Sequence, residues 1–352
     1  MKTCAIIGYG GMGEWHENHI RGNMTDCLTL KGVWDIRPER LEHAKSKGVG
    51  VYGSLEEVLN DQEVELVTIA TPNDFHKPLS IACLKAGKSV VCEKPVMMNA
   101  TELQEVLAVA KECGKVFTVH QNRRWDKDFV TVKEVLTQNT IGKPYYIESR
   151  VQGSRRVLNG WRGVKAEGGG MLLDWGIHLL DQIMWMIDSP VVEIGAHLFA
   201  LMPGVEVDDN MKLFLRFENG VSALIEVATN CFILQPRWHV SCEDGTLQID
   251  GWDAKGKMIR LADENEMAWD EVITYTEAGP TRTMAPRPKE TVEEIPLPQM
   301  QPHLQEYYQN ICHAIDGKAE LIVKPAQALR VMQVVDAAFA AAEKGSSVAC
   351  KI

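Results

Sequence analysis

From residue 3 to residue 121, short β-branched apolar runs alternate with longer stretches whose apolar residues recur at helical spacing. Runs at 4–7, 28–34, 66–70, 89–92 and 116–120 have the length and continuous apolarity of strands buried on both faces. Between them, residues 11–21, 38–47, 74–85 and 99–112 carry the helical pattern. Alternation of this kind predicts a parallel, doubly wound sheet, because parallel neighbours must be joined by a crossover.

After about Arg124 the rhythm changes. Residues 128–138 and the strongly apolar 170–187 predict two helices. Alternating runs at 191–200, 211–217, 221–229, 238–242 and 246–249 predict strands of an antiparallel sheet, with Glu218-Asn-Gly220 as a hairpin turn. The proline-rich stretch 279–301 predicts an exposed loop, and 303–315 and 326–343 the closing helices. The expectation is an α/β protein of two domains, 1–122 with a doubly wound parallel sheet and 123–352 with a mostly antiparallel one.

Composition narrows the partners. At 352 residues the chain exceeds one comfortable core, and 45% hydrophobic with 24% charged residues is an ordinary globular balance. The 37 lysines and arginines against 48 acidic residues give a net charge of -11, without a basic run, so nucleic acid and membrane surfaces are disfavoured. The apolar start, Met-Lys-Thr-Cys-Ala-Ile-Ile-Gly, is too short for a signal peptide and reads as a first strand. Nine scattered cysteines without a Cys-x-x-Cys pair argue against a disulfide framework or a cysteine metal site, and a reducing cytoplasm is the expected location.

The first strand runs into Gly8-Tyr9-Gly10-Gly11-Met12-Gly13, which opens a predicted helix. In that context Gly8, Gly10 and Gly13 form a GxGxxG dinucleotide loop, with helix amides facing a pyrophosphate. The second strand ends at Asp35, where a carboxylate would bind ribose hydroxyls and repel a 2'-phosphate, favouring NAD. Arg37 could instead bind that phosphate, which leaves NADP open, and a helix-capping Asp beside a solvated Arg explains either residue taken singly. The third strand ends in Thr71-Pro72-Asn73, with His76 beyond, at the edge where such sheets bind ligands, although a plain turn capped by Asn73 or Asp74 reads the same way. The fourth ends in Cys92-Glu93-Lys94-Pro95, bringing an ammonium that can stabilise an alkoxide, or else forming a surface Glu-Lys pair. A cis Lys94-Pro95 bond would aim that side chain through a fixed kink.

In the second domain, Asp174, His178 and Asp181 recur at i, i+4 and i+7 in an otherwise apolar helix following Gly168-Gly-Gly170. Three ionisable groups on one buried face need a polar site or opposite charges. His178 suits general acid or base catalysis with Asp174 orienting it, a structural Asp–His pair being the alternative. No third ligand is evident, so no metal is expected. Asn122-Arg123-Arg124-Trp125 and Trp161-Arg162 are candidate cationic and aromatic substrate contacts, or surface ion pairs and core tryptophans.

Together the glycine loop, Thr71-Pro-Asn73 with His76, Glu93-Lys-Pro95, Trp161-Arg162, the Gly168–His178 segment and Val323-Lys-Pro-Ala-Gln-Ala-Leu-Arg330 resemble the Gfo/Idh/MocA family, that of glucose–fructose oxidoreductase, inositol dehydrogenase and rhizopine-catabolism proteins. The resemblance implies an N-terminal Rossmann domain and a C-terminal α/β domain whose large sheet joins dimers or tetramers. It implies Lys94, Asp174 and His178 as the catalytic set, with NAD or NADP held by the glycine loop, Asp35, Arg37, Thr71, Pro72, Asn73, His76, Glu93, Lys94 and Gln121. Asn122, Arg123, Trp161, Arg162, Asp174 and His178 are then the expected contacts to a sugar, glycoside or inositol. Retained NAD in a closed redox cycle, and a sensor without catalysis, are the competing expectations.

Overall fold

The apolar runs become strands where they can be buried on both faces. A computed structural model describes residues 1–24, 26–262, 273–281 and 287–352. The first half runs β1 (Lys2–Ile7), α1 (Gly11–Asn23), β2 (Leu28–Trp34), α2 (Pro38–Ser46), α3 (Leu55–Asn60), β3 (Leu66–Ile69), α4 (His76–Lys85), β4 (Ser89–Cys92), α5 (Ala100–Glu112) and β5 (Phe117–Val119). The five strands are parallel in the order β2-β1-β3-β4-β5. Cys4, Ala5, Ile6 and Ile7 of central β1 have no exposed surface, as a strand covered on both faces requires. The chain leaves β1 for β2 on one side and returns to β3 on the other, so the carboxyl ends of β1 and β3 flank the switch point where open α/β sheets bind ligands.

The second half runs α6 (Lys127–Thr137), β6 (Pro144–Gln152), α7 (Ile177–Met186), β7 (Val191–Phe199), β8 (Asn210–Phe217), β9 (Ser222–Ala228), β10 (Trp238–Cys242), β11 (Gly245–Ile249), β12 (Gly256–Leu261), β13 (Thr274–Thr276), β14 (Gly279–Thr281), β15 (Val292–Ile295), α8 (Gln305–Ile315), α9 (Pro325–Lys344) and β16 (Val348–Ala349). Nine strands form one sheet in the order β15-β12-β11-β10-β6-β9-β8-β7-β16, antiparallel except for the β6–β9 pair. The chain is thus α/β, with a parallel Rossmann sheet followed by a large, mostly antiparallel one. In β8, Leu213, Leu215 and Phe217 are buried while Lys212, Phe214 and Arg216 are exposed, so one face of the large sheet is covered and the other is open. Among the described residues no helix is long and apolar enough to cross a membrane.

Several elements depart from the pattern-based expectation. Strand β6, at the centre of the large sheet, was not expected, because one inward position, Ser149, is polar. Its hydroxyl accepts a hydrogen bond from Arg237 Nη1 at 2.8 Å, which satisfies it inside the core. Strand β12, between β11 and β15, was likewise not expected. The expected loop 279–301 contains β14 and β15, the latter paired with β12, while residues 282–286 lie outside the described residues. The expected helix 170–187 is a π-helical turn, Leu172–Gly176, leading into α7. Helices α8 and α9 return to the first sheet, where Tyr307 donates to the Val119 carbonyl at 2.9 Å and Thr118 to the Val323 carbonyl at 2.8 Å.

Candidate active site

The loop after β1 is shaped for close backbone approach. A Cβ on Gly13 would stand 2.0 Å from the Gly8 carbonyl oxygen, so only glycine lets α1 start where it does. A Cβ on Gly11 would meet nothing within 4 Å, and one on Gly10 only Arg37 Nη2 at 4.0 Å. Gly10, the residue before α1, offers no side-chain cap, which leaves the first amides of the helix for an anionic ligand. Asp35, following β2, accepts hydrogen bonds from the Tyr9 amide at 2.7 Å and the Arg37 amide at 2.9 Å, and so ties the loop to the second strand. The half-exposed Arg37 side chain places Nε 3.6 Å from Asp35 Oδ1, beside the same loop as Met12. These residues fit a dinucleotide, with open amides for the pyrophosphate and a carboxylate at the end of β2 for the ribose.

The ends of β3 and β4 meet the second half of the chain. Asn73, in the turn after Thr71 and Pro72, donates from Nδ2 to the Gly168 carbonyl at 2.9 Å. Gly170 has φ of 110° and a Cβ there would lie 2.3 Å from Asp208 Oδ1; Asp208 Oδ2 in turn accepts from the Leu172 amide at 2.7 Å and anchors the π-helical turn. In that turn the Ile177 amide reaches back five residues to the Leu172 carbonyl, and the Asp174 carbonyl oxygen is available to Lys94 Nζ at 2.8 Å.

Lys94, whose bond to Pro95 is cis, also donates to Asp174 Oδ1 at 2.8 Å, and Arg162 Nε donates to Asp174 Oδ2 at 2.8 Å. Burial alone would raise the Asp174 carboxyl, but the Lys94 and Arg162 charges outweigh it and hold the pKa below the usual carboxylate range. The Arg162 guanidinium stacks 4.5 Å from the centroid of Trp161. His178 Nδ1 lies 3.1 Å from Gln121 Oε1, so the ring carries its proton on Nδ1 and leaves Nε2 as a base. Burial, then the charges of Lys94 and Arg123, push its pKa well below the ordinary value. Arg123 sits 4.8 Å above the Trp175 ring and 5.3 Å from Trp252, and Asn122 opens its turn half-buried. A cavity of about 580 Å³ reaches Asp174, Arg162 and Trp175.

Asp174, His178 and Asp181 thus share a face, as their spacing predicts, but each has a different partner. The expected orientation of His178 by Asp174 is replaced by Gln121, and Asp181 is held by Arg124 through two bonds of 2.7 Å. Arg124 is therefore a buried cation paired within the fold. Pairings across 57 residues leave no periodic trace, although the polar interruption of an apolar helix marked the face.

Two expected cofactor contacts have their polar atoms engaged by protein. The buried His76 ring places Nδ1 2.8 Å from the Pro95 carbonyl and Nε2 3.0 Å from that of Thr71, joining the two turns from behind. Glu93 Oε1 accepts from His16 Nε2 at 2.9 Å and His120 Nδ1 at 2.8 Å, while Oε2 accepts from the Lys94 amide at 3.1 Å. Burial would raise its pKa, but the two imidazoles hold it well below the usual range. His16, Glu93 and His120 converge like metal ligands, yet their separations are those of N–H···O hydrogen bonds, and Tyr308 at 2.8 Å occupies His16 Nδ1.

Known proteins share this architecture. Residues 2–121 match the model of an oxidoreductase family with an NAD-binding Rossmann fold, and residues 129–248 match the GFO/IDH/MocA C-terminal domain. The uncharacterized oxidoreductase YdgJ of Escherichia coli K12 is 30% identical over 94% of this chain and 93% of its own. The scyllo-inositol 2-dehydrogenase (NADP(+)) IolW of Bacillus subtilis 168 is 27% identical over 95% and 92%. The crystal structure of an NAD-binding protein from Listeria innocua is 42% identical, covers 99% of each chain and superposes with a TM-score of 0.93. With both domain models in chain order and relatives matching end to end, this chain belongs to the Gfo/Idh/MocA family of NAD-binding oxidoreductases.

Proposed function

We propose that this protein is a dehydrogenase for a secondary hydroxyl of a sugar, glycoside or inositol. The observation that carries the reading is the meeting of Lys94 and Asp174 beside His178, whose ring has a fixed tautomer, at the edge where the glycine loop and the β3 turn open. The relative named as a scyllo-inositol dehydrogenase supports a polyol substrate. NAD, held by the glycine loop and Asp35, would supply the acceptor for the hydride that leaves the carbon. His178 Nε2 takes the hydroxyl proton as the carbon becomes a carbonyl. Lys94 bears on the oxygen while negative charge builds there, and Asp174 holds that ammonium and the Arg162 guanidinium in place.

Lys94→Ala and His178→Ala should each lower kcat roughly 10²- to 10⁴-fold, with NAD affinity, read by quenching of protein fluorescence, changed only a few-fold. Loss of NAD binding in a folded variant would assign these residues to the cofactor instead, and an unchanged kcat would reject the mechanism. We infer as well that copies associate through the open face of the large sheet, where Phe199 and Phe214 are exposed. Sedimentation velocity reads this directly, and a monomer at micromolar concentration overturns it.

A further inference from the structure

The cavity that reaches Asp174 is walled on its outer side by residues 153–159, which leave the end of β6. Three arginines, Arg155, Arg156 and Arg162, contribute to its lining, against one acidic residue, Asp174. Over the whole chain the balance is the reverse, 37 basic residues to 48 acidic, so the positive excess is local to the cavity. Asp174 is already shared by Lys94 and Arg162. Among the described residues no carboxylate lies within ion-pair distance of Arg155 or Arg156, whereas Arg124, Arg150 and Arg237 all have acidic partners.

The segment that carries the two arginines is tied at Gly153 and Arg156 to the chain that leaves β9. The Gly153 amide donates to the Ala228 carbonyl at 2.8 Å, the Arg156 amide to the Thr229 carbonyl at 2.9 Å, and the Cys231 amide to the Gly153 carbonyl at 2.8 Å. Arg156 is held at φ of 53°, the left-handed conformation that side-chain-bearing residues adopt at a cost, so the backbone is fixed beside the cavity mouth. Val151, Met171, Val227 and Ala228 supply apolar wall, and a charge approached along such a wall is less screened than in open water. Guanidinium groups match carboxylate and phosphate oxygens in pairs.

We propose that Arg155 and Arg156 bind an anionic group of the substrate, a carboxylate or a phosphate monoester, which makes the substrate an acidic sugar or polyol. The inference rests on the dehydrogenase reading and adds the substrate's charge to it. The neutral end of the molecule lies toward Asp174, one helical turn before His178, and the anion lies toward Arg155 and Arg156.

The test uses matched sets that differ only in charge: glucose, glucuronate and glucose 6-phosphate, and myo-inositol beside its monophosphate. Binding to the NAD-loaded protein is read by isothermal titration calorimetry, and turnover by nicotinamide absorbance. The expected result is tighter binding of the acidic members, carboxylate and phosphate arms telling which anion is preferred, and weakening with added salt. The Arg155→Gln/Arg156→Gln variant should weaken the acidic ligands roughly 10- to 100-fold, leaving neutral ligands and NAD unchanged. Equal binding of neutral and acidic members, no binding of acidic members, or acidic binding indifferent to the substitutions each overturns the proposal. A change confined to NAD affinity also overturns it, by placing the arginines at the cofactor. Acidic ligands that bind through the arginines without turnover would uphold this inference while rejecting the dehydrogenase reading.

Discussion

His178 is surrounded by groups that oppose its protonation: burial first, then the positive charges of Lys94 and Arg123. A base is inactive when protonated, so lowering its pKa extends activity toward acid. For oxidation, kcat/KM should stay level as pH falls through 6.5 and decline only below it, and Arg123→Gln, which removes one opposing charge, should move that decline to higher pH. A wild-type decline centred at 6.5, or one unmoved by the substitution, would remove His178 as the titrating base. At this scale the sequence was legible wherever a residue's position follows from its own element: the glycine loop, Asp35 at the end of β2, Lys94 at the end of β4. It was not legible where two side chains meet across the fold. Gln121 follows β5 and His178 stands in α7, and only the packed structure makes one the acceptor of the other's proton.

Helix α1 illustrates how an element can be recognised while its reason for being there is missed. Its apolar spacing marks the helix, but the same helix carries His16, fully buried and bonded to Glu93 beyond β4 and to Tyr308 of α8. Burial, reinforced by the nearby His120, lowers the His16 pKa from 6.5 to about 4. Between those values the unfolded chain binds the proton and the folded chain does not, so stability rises with pH across the window, is complete above 6.5 and is lost as pH falls toward 4. The shift corresponds to on the order of 3 kcal/mol. His19, His76 and His178 are lowered as well and act in the same sense. His16→Gln, which can still donate to Glu93, should therefore flatten but not abolish the dependence of Tm on pH between 4 and 6.5. An unchanged slope would mean that His16 is charged in the folded protein. The helix expected at 170–187 has a similar history: apolar spacing does not distinguish an α-helix from one that opens with a π-helical turn, and the difference exposes the Asp174 carbonyl to Lys94.

The two sheets are tied together through elements that come late in the chain, which sequence order alone separates from the first domain. Arg124, from the turn after β5, is 2% exposed and donates to both oxygens of Asp181 in α7, to the Ile322 carbonyl at 3.0 Å and to Gln327 Oε1 of α9 at 3.0 Å. Trp185 covers the guanidinium 4.4 Å from its ring centroid. One buried cation thus fixes the start of the second half, the helix α7 that carries His178, and the returning α9. A buried ion pair is not by itself evidence of large net stabilisation, because desolvation offsets the attraction, but removing one partner leaves the other charged and unpaired. Asp181→Ala should cost about 3–5 kcal/mol, whereas the joint replacement Arg124→Met/Asp181→Leu should cost less than the single change, since it removes the stranded charge. Thermal unfolding of both variants decides between a pair that holds the halves together and one that is merely tolerated. If the double replacement proved the worse of the two, the bonds from Arg124 to Ile322 and Gln327 would be what joins α9 to the rest, and Asp181 only their counter-charge.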